Sequence, residues 1–128
     1  MGGFPGEIKM RMWMVDPRIM CRKHLLGEHV ECHMFLGTMK RHISLKGYVE
    51  KNCFEPKSLQ ERHDDLAKEM VERRKYKHNS PLLGVDAEFR QLPMEIADAK
   101  VDVVASGIDL IERCPECRRR YDVLYGDD

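Results

Sequence analysis

The chain has no apolar run approaching the length of a membrane span. Its opening, MGGFPGEIK, carries neither the apolar core of a signal peptide nor the arginines of a transit peptide. Cytoplasmic placement is therefore the expectation, with no membrane partner. No repeat, no low-complexity stretch and no convincing run of alternating apolar and polar residues is present, which argues against solenoids and sheets. Net charge is absent too: 22 Lys and Arg balance 22 Asp and Glu, so the chain lacks the overall basic footprint of many nucleic-acid binders. Its five cysteines are odd in number and irregularly spaced, which excludes a simple disulfide framework and favours reduced thiols.

What is there is a 128-residue chain, enough for one domain with its own core. Its charge is unevenly spread. Residues 10–47 hold seven Lys/Arg against three Asp/Glu, together with four of the six histidines. Residues 84–112 hold two against seven, and residues 113–120 return four against one. A basic front and a basic tail, with an acidic stretch turned away, suit a surface facing a phosphate backbone and, equally, the ordinary patchiness of a solvated surface.

Residues 1–9, rich in glycine, read as an extension, and 10–128 as the folded domain with a basic C-terminal tail. MRMWMVDP is a short apolar lead-in, stopped by Asp16 as N-cap with Pro17 at the first helical position. A helix, or two with a break near Cys21, then runs to about Lys40, with Leu25, Cys32, Leu36 and Met39 as its apolar stripe. A second helix is expected from Ser58 to Arg74, with Ser58 and Glu61 at capping-box spacing and Leu59, Leu66, Ala67 and Met70 buried. A third spans Met94 to Arg113, its core side being Val101, Val104, Ala105, Ile108 and Ile111, and Cys114–Pro115 ends it. These patterns predict a compact all-α domain of about three helices with the N-terminal segment packed across them.

The most telling segment is KHLLGEHVECHMF, from Lys23 to Phe35. At about 100° per residue, His24, Glu28 and Glu31 share one helical face. Two carboxylates and an imidazole make a poor core stripe and suit proton transfer. A solvated face with an ordinary i, i+4 pair is the bland alternative. Cys114 and Cys117 form a C-x-x-C knuckle, half of a structural zinc site, whose partners would come from Cys21, Cys32, Cys53 or a histidine. His29 and His33 are also spaced to chelate, but H-x-E-x-H turns its glutamate off the ligand face and is no zincin motif.

The ungapped stretch HLLGEHVECHMFLGTMKRHI, His24 to Ile43, resembles the pyrimidine-dimer DNA glycosylases of the bacteriophage endonuclease V type. It carries His24, Glu28, Glu31, Gly37 and the pair Lys40–Arg41 followed by His42. LQERHDDLAKEMVERR with YKHNSPL, Leu59 to Leu82, is similar to the same family. The resemblance implies a three-helix fold and a glycosylase/AP lyase for damaged double-stranded DNA, monomeric and needing no cofactor. In such enzymes an N-terminal α-amine attacks C1′, and a glutamate moves protons through Schiff-base formation and β-elimination. An α-amine, with a pKa near 8, is a better neutral-pH nucleophile than lysine. The match makes Glu31 the catalytic glutamate and His24 the active-site histidine. It puts the amine at Met10, which holds only where the mature chain begins there. Arg11 is expected to pair with Glu28, while Trp13 and Val15 dock on the first long helix.

The family's prototype carries DNA-binding arginines where this chain has Val30 and Met34. DNA contacts are then expected from Arg11, Arg22, Lys23, Lys40 and Arg41. The tail RRRYDVLYG adds Arg118, Arg119, Arg120, Tyr121 and Tyr125, a composition suited to phosphate contact and base stacking. Val30, Met34 and the nine leading residues equally suit a rival, a catalytically silent DNA-binding or protein-interaction module of the same fold.

Overall fold

The computed structural model describes residues 10–126, and the expected extension 1–9 lies outside them. The described residues hold no strand. A 3-10 turn, Pro17–Ile19, precedes α1 (Arg22–Lys40). Short α2 (Lys46–Glu50) leads to α3 (Leu59–Lys68), which runs on through a π-helical turn, Glu69–Arg73. Short α4 (Val85–Phe89) and α5 (Met94–Ala97) are followed by α6 (Val103–Arg113) and α7 (Pro115–Tyr125). The all-α expectation holds, with seven α-helices among the described residues, four of them ten residues or longer.

α1 is the central rod. Leu25, Cys32, Leu36 and Met39 are buried along it as the stripe predicts, joined by Phe35, whose ring stacks on Phe54 at 4.4 Å and meets Tyr48 edge-on. The α3 stripe of Leu59, Leu66, Ala67 and Met70 is buried as well. The lead-in crosses these helices without regular structure, bent at Met14, whose φ is 61°. Met10, Met12, Trp13 and Val15 are buried, and the Met12 N–H donates to the Cys53 carbonyl at 2.8 Å.

Two buried ion pairs fasten this lead-in. Arg62 of α3 donates from Nε and Nη2 to both oxygens of Glu28 on α1, at 2.7 and 2.8 Å, and from Nη1 to the Val15 carbonyl at 2.6 Å. Arg74 pairs with buried Glu69 at 2.9 Å and donates to the carbonyls of Pro17 and Met20. A guanidinium is the right group for this: its fork satisfies a carboxylate bidentately and still has donors for backbone oxygen.

Several sequence expectations need correction. The third helix does not run from Met94 to Arg113; residues 98–102 break it. Asn52 accepts from the Asp102 N–H at 2.6 Å and Glu55 accepts from the Val101 N–H at 2.8 Å, so side chains from a distant loop replace helical partners. Asp102 then caps α6 by accepting from the Ala105 N–H. Val104, Ala105 and Ile108 are exposed rather than core; α6 buries Ser106 and Leu110 instead. The lead-in packs against α6 on the Ser106–Gly107 side, which leaves Val104 and Ile108 facing outward. Ser106 donates to the Trp13 carbonyl at 2.7 Å, and Gly107 approaches Val15. Ser58 makes no cap hydrogen bond, because its hydroxyl donates to Glu55. Pro115 ends α6 but also opens α7 at its first turn.

Removing one member of a buried, bidentate pair strands a charge. Arg62→Met should therefore destabilise the fold by about 3–5 kcal/mol, read as a lowered urea midpoint. A loss below about 1 kcal/mol would mark the pair as no better than a surface bridge.

Candidate active site and thiol cluster

Between the lead-in, α1 and α6 lies an open cavity of about 600 Å³, lined by Arg11, Trp13, Lys23, His24, Gly27, Glu28, Glu31 and Arg113. Gly27, inside a helix and otherwise an odd choice there, leaves room over the Glu31 carboxylate: an added Cβ would sit 3.7 Å from Oε2. Glu31 Oε1 accepts from the backbone N–H of Arg11 at 2.7 Å. Burial raises the Glu31 pKa to about 7, with the Arg11 N–H opposing and Glu28 reinforcing the shift. The carboxyl is thus poised to take or give a proton near neutrality.

The other two members of the predicted stripe go elsewhere. Glu28 is bound to Arg62 in the core, so the expected Arg11–Glu28 pair does not form. Arg11 instead turns its guanidinium to Asp109 at 2.7 Å and lies 3.7 Å above the Trp13 ring. His24 borders the cavity, yet its Nδ1 faces thiols: Cys21 Sγ at 3.2 Å and Cys117 Sγ at 3.6 Å. Burial, with help from Lys23 and Arg113, lowers its pKa and favours the neutral ring. Met10 is buried one residue upstream of the nitrogen that meets Glu31. Trp13 and Arg113, which sequence reasoning did not assign to the site, wall it; nothing in their spacing along the chain links them to Glu31.

The thiol cluster is Cys21, His24, Cys114 and Cys117, with one ligand atom from each lying within 4.8 Å of the others. It is built from two i, i+3 pairs, one at the start of α1 and one at the start of α7. The Cys21 and Cys114 sulfurs are 3.8 Å apart. A tetrahedral zinc with the usual bond lengths spaces its ligands by about 3.8 Å between sulfurs and about 3.5 Å between sulfur and nitrogen. Backbone N–H groups of Cys21 and Cys117 point at Cys117 Sγ and Cys114 Sγ, at 3.2 and 3.5 Å. Burial disfavours the Cys114 thiolate, but the Cys117 N–H and neighbouring thiols outweigh it and hold that pKa below the ordinary value. Burial pushes Cys117 up to about 12. The four residues form a Cys/His cluster able to hold a metal.

The matching family model is pyrimidine dimer DNA glycosylase, over residues 10–83. The chain belongs to the pyrimidine dimer DNA glycosylase family. No curated protein and no solved structure matches it. The glycosylase match takes in the lead-in, α1 and α3, and with them Glu31, Glu28, Arg62, Cys21 and His24. It stops before Cys114 and Cys117, so half of the thiol cluster belongs to a part of the chain that the family model does not cover.

On this fold the expected DNA-binding residues fall in separate places. Arg11 and Lys23 line the Glu31 cavity. Arg22 is exposed, its guanidinium 5.2 Å from the Tyr76 ring. Lys40 and Arg41 are exposed at the far end of α1, about 14 Å along its axis from Glu31. Arg118, Arg119 and Arg120 do not border the cavity. Arg118 pairs with Asp122 and Arg119 with Glu116, while Arg120 donates to the Arg18 carbonyl. Tyr121 and Tyr125 lie together on α7, ring centroids 5.2 Å apart, and the Tyr125 hydroxyl donates to Asp16 at 2.6 Å. Both border an apolar groove with Val104 and Ile108. Val30 and Met34 are exposed.

A carboxyl whose folded pKa lies near 7, against an ordinary 4.5, binds more protons folded than unfolded between those values. Its stabilising contribution is complete below 4.5 and is lost as pH rises through 7. Glu31→Gln, which keeps an acceptor for Arg11, should therefore raise the melting temperature more at about pH 8 than at about pH 5. The opposite order in paired thermal melts would show that Glu31 is not held in its acid form by burial.

Proposed function

We propose that this chain is a glycosylase and AP lyase acting on pyrimidine dimers in duplex DNA. The single observation behind this reading is the 2.7 Å contact between a backbone nitrogen near the domain's start and a carboxyl raised to neutral pKa. In a chain beginning at Met10, the amine stands one residue from that contact. If Met10 is then removed, the amine is the Arg11 nitrogen itself, already on Glu31. Glu31 takes a proton from the amine as it attacks C1′ of the damaged nucleotide and returns it to the departing base as the C1′–N bond breaks and the Schiff base forms. The same carboxylate then removes a C2′ proton, and β-elimination breaks the strand. Glu28 acts at one remove, holding α1 against α3, and His24 belongs to the thiol cluster beside the cavity.

Lys23, Arg11 and Arg113 supply positive charge at the cavity mouth, where the family's prototype relies on the arginines that Val30 and Met34 replace. Arg22, Lys40, Arg41 and the α7 residues Arg118, Arg119, Arg120, Tyr121 and Tyr125 extend the contact to the flanking backbone. The exposed Val30 and Met34 support the rival reading, a silent DNA-binding or protein-interaction module. The poised Glu31 favours the enzyme. Cys21, His24, Cys114 and Cys117 hold a structural zinc that ties α7 to α1.

Ultraviolet-irradiated and untreated plasmids separate the two readings. A chain beginning at Met10 should nick only the irradiated form, and Glu31→Gln should lower that rate by about two to three orders of magnitude while leaving DNA affinity intact. Absence of nicking on both plasmids would leave the silent module. For the metal, protein purified without added zinc should carry zinc lost in Cys117→Ser. A zinc-free folded protein would remove the structural ion from the account.

A further inference from the structure

A second group of side chains, on the side of α1 turned away from Glu31, remains without a role. His29 and His33 lie on α1, about 160° around the helix from Glu31 in the case of His29. His63 comes from α3, next to Arg62, and His78 from the connection between α3 and α4. The four rings pack against one another. His29 lies 4.6 Å from His63 and 4.8 Å from His78, centroid to centroid, and His33 lies 4.9 Å from His63.

Two features set this apart from ordinary packing. His29 is only 6% exposed, yet its Nε2 has no hydrogen-bond partner, and neither has Nε2 of His33. A buried polar nitrogen left without a hydrogen-bond partner is costly, and this cluster holds two. His63, 1% exposed, is oriented from behind: its Nδ1 contacts the Asp64 carboxylate at 2.8 Å, which turns Nε2 inward. A carboxylate on the far nitrogen is the usual support of a metal-bound histidine. The His63 and His78 Nε2 atoms both sit near the Ser80 carbonyl, at 3.2 and 3.1 Å.

We propose that His29, His63 and His78, with His33 at the rim, form a second metal site that takes a first-row divalent transition ion. One nitrogen from each of the three lies within 4.8 Å of the others, and modest ring rotations bring them to the ~3.4 Å spacing of nitrogens on a tetrahedral ion. Imidazole donors suit zinc, iron, nickel or copper and exclude calcium and magnesium as the natural occupant. Binding supplies the missing partner of His29 and keeps the His63 proton on Nδ1, from which it donates to Asp64. The ion would clamp the α3–α4 connection onto α1 and α3, as the thiol cluster clamps α7, so each end of the family module would carry its own pin.

The probe is Co2+ added to the untagged full chain. Two ions per chain are expected. One shows thiolate-to-metal absorption in the near ultraviolet; the other shows only weak visible bands. Cys114→Ser/Cys117→Ser should abolish the first and keep the second. His78→Ala, in a connection rather than a helix, should keep the first and weaken the second at least tenfold, with helicity unchanged. One ion per chain, wholly lost with the cysteines, would overturn the proposal and leave the histidines as a packed cluster. Two ions bound equally well by His78→Ala would overturn it too. Because the near-ultraviolet band is read in the parent protein, the test stands even if the double cysteine variant fails to fold.

Discussion

The Arg62 guanidinium holds this structure's working parts in register. It is almost wholly buried, grips both oxygens of Glu28, and spends a remaining donor on the Val15 carbonyl. One planar group thereby fixes three things: the spacing of α1 and α3, the rotation of α1 about its axis, and the path of the lead-in. Rotation matters most, because Glu31 lies one turn beyond Glu28 and reaches the Arg11 nitrogen only if α1 presents that face to the lead-in. A buried ion pair is weak evidence of net stability but a strong constraint on geometry, since every alternative arrangement strands a charge. Arg74, bonded to Glu69 and to two lead-in carbonyls, repeats the device at the other end of the segment.

The sequence showed the fold class and the two main apolar stripes because α1 and α3 bury their stripes against each other and the lead-in, so periodicity and burial agree. It misled at α6, where apolar periodicity was strong. The buried face carries Ser106 and Leu110, with Ser106 bonded to the Trp13 carbonyl of the lead-in, so Val104 and Ile108 were left outside. The break at 98–102 was hidden because its cause, Asn52 and Glu55, lies nearly 50 residues away. Pro115 read as a stop; that it also starts α7 depends on Cys114 capping the next turn.

The site was legible in outline and not in its division of labour. Spacing put His24, Glu28 and Glu31 on one face, and the fold keeps them there as lining of one cavity. Their chemistry is decided by neighbours that spacing cannot reveal: thiols from α7 at His24, a guanidinium from α3 at Glu28, a backbone nitrogen at Glu31. The C-x-x-C knuckle was recognisable alone, but its partners Cys21 and His24 are about ninety residues earlier. The cluster lies beside the cavity that holds Glu31, and the His24 and Trp13 rings, both lining that cavity, meet edge-on at 5.7 Å.

The central claim is that the lead-in delivers a terminal nitrogen to Glu31. Borohydride reduction of the protein on abasic-site duplex, followed by peptide mapping of the adduct, tests it most directly. A covalent adduct is expected on the α-nitrogen of a chain beginning at Met10 or Arg11, and none on a chain beginning at Met1. An adduct on a lysine side chain, or equal trapping whatever the first residue, would contradict it.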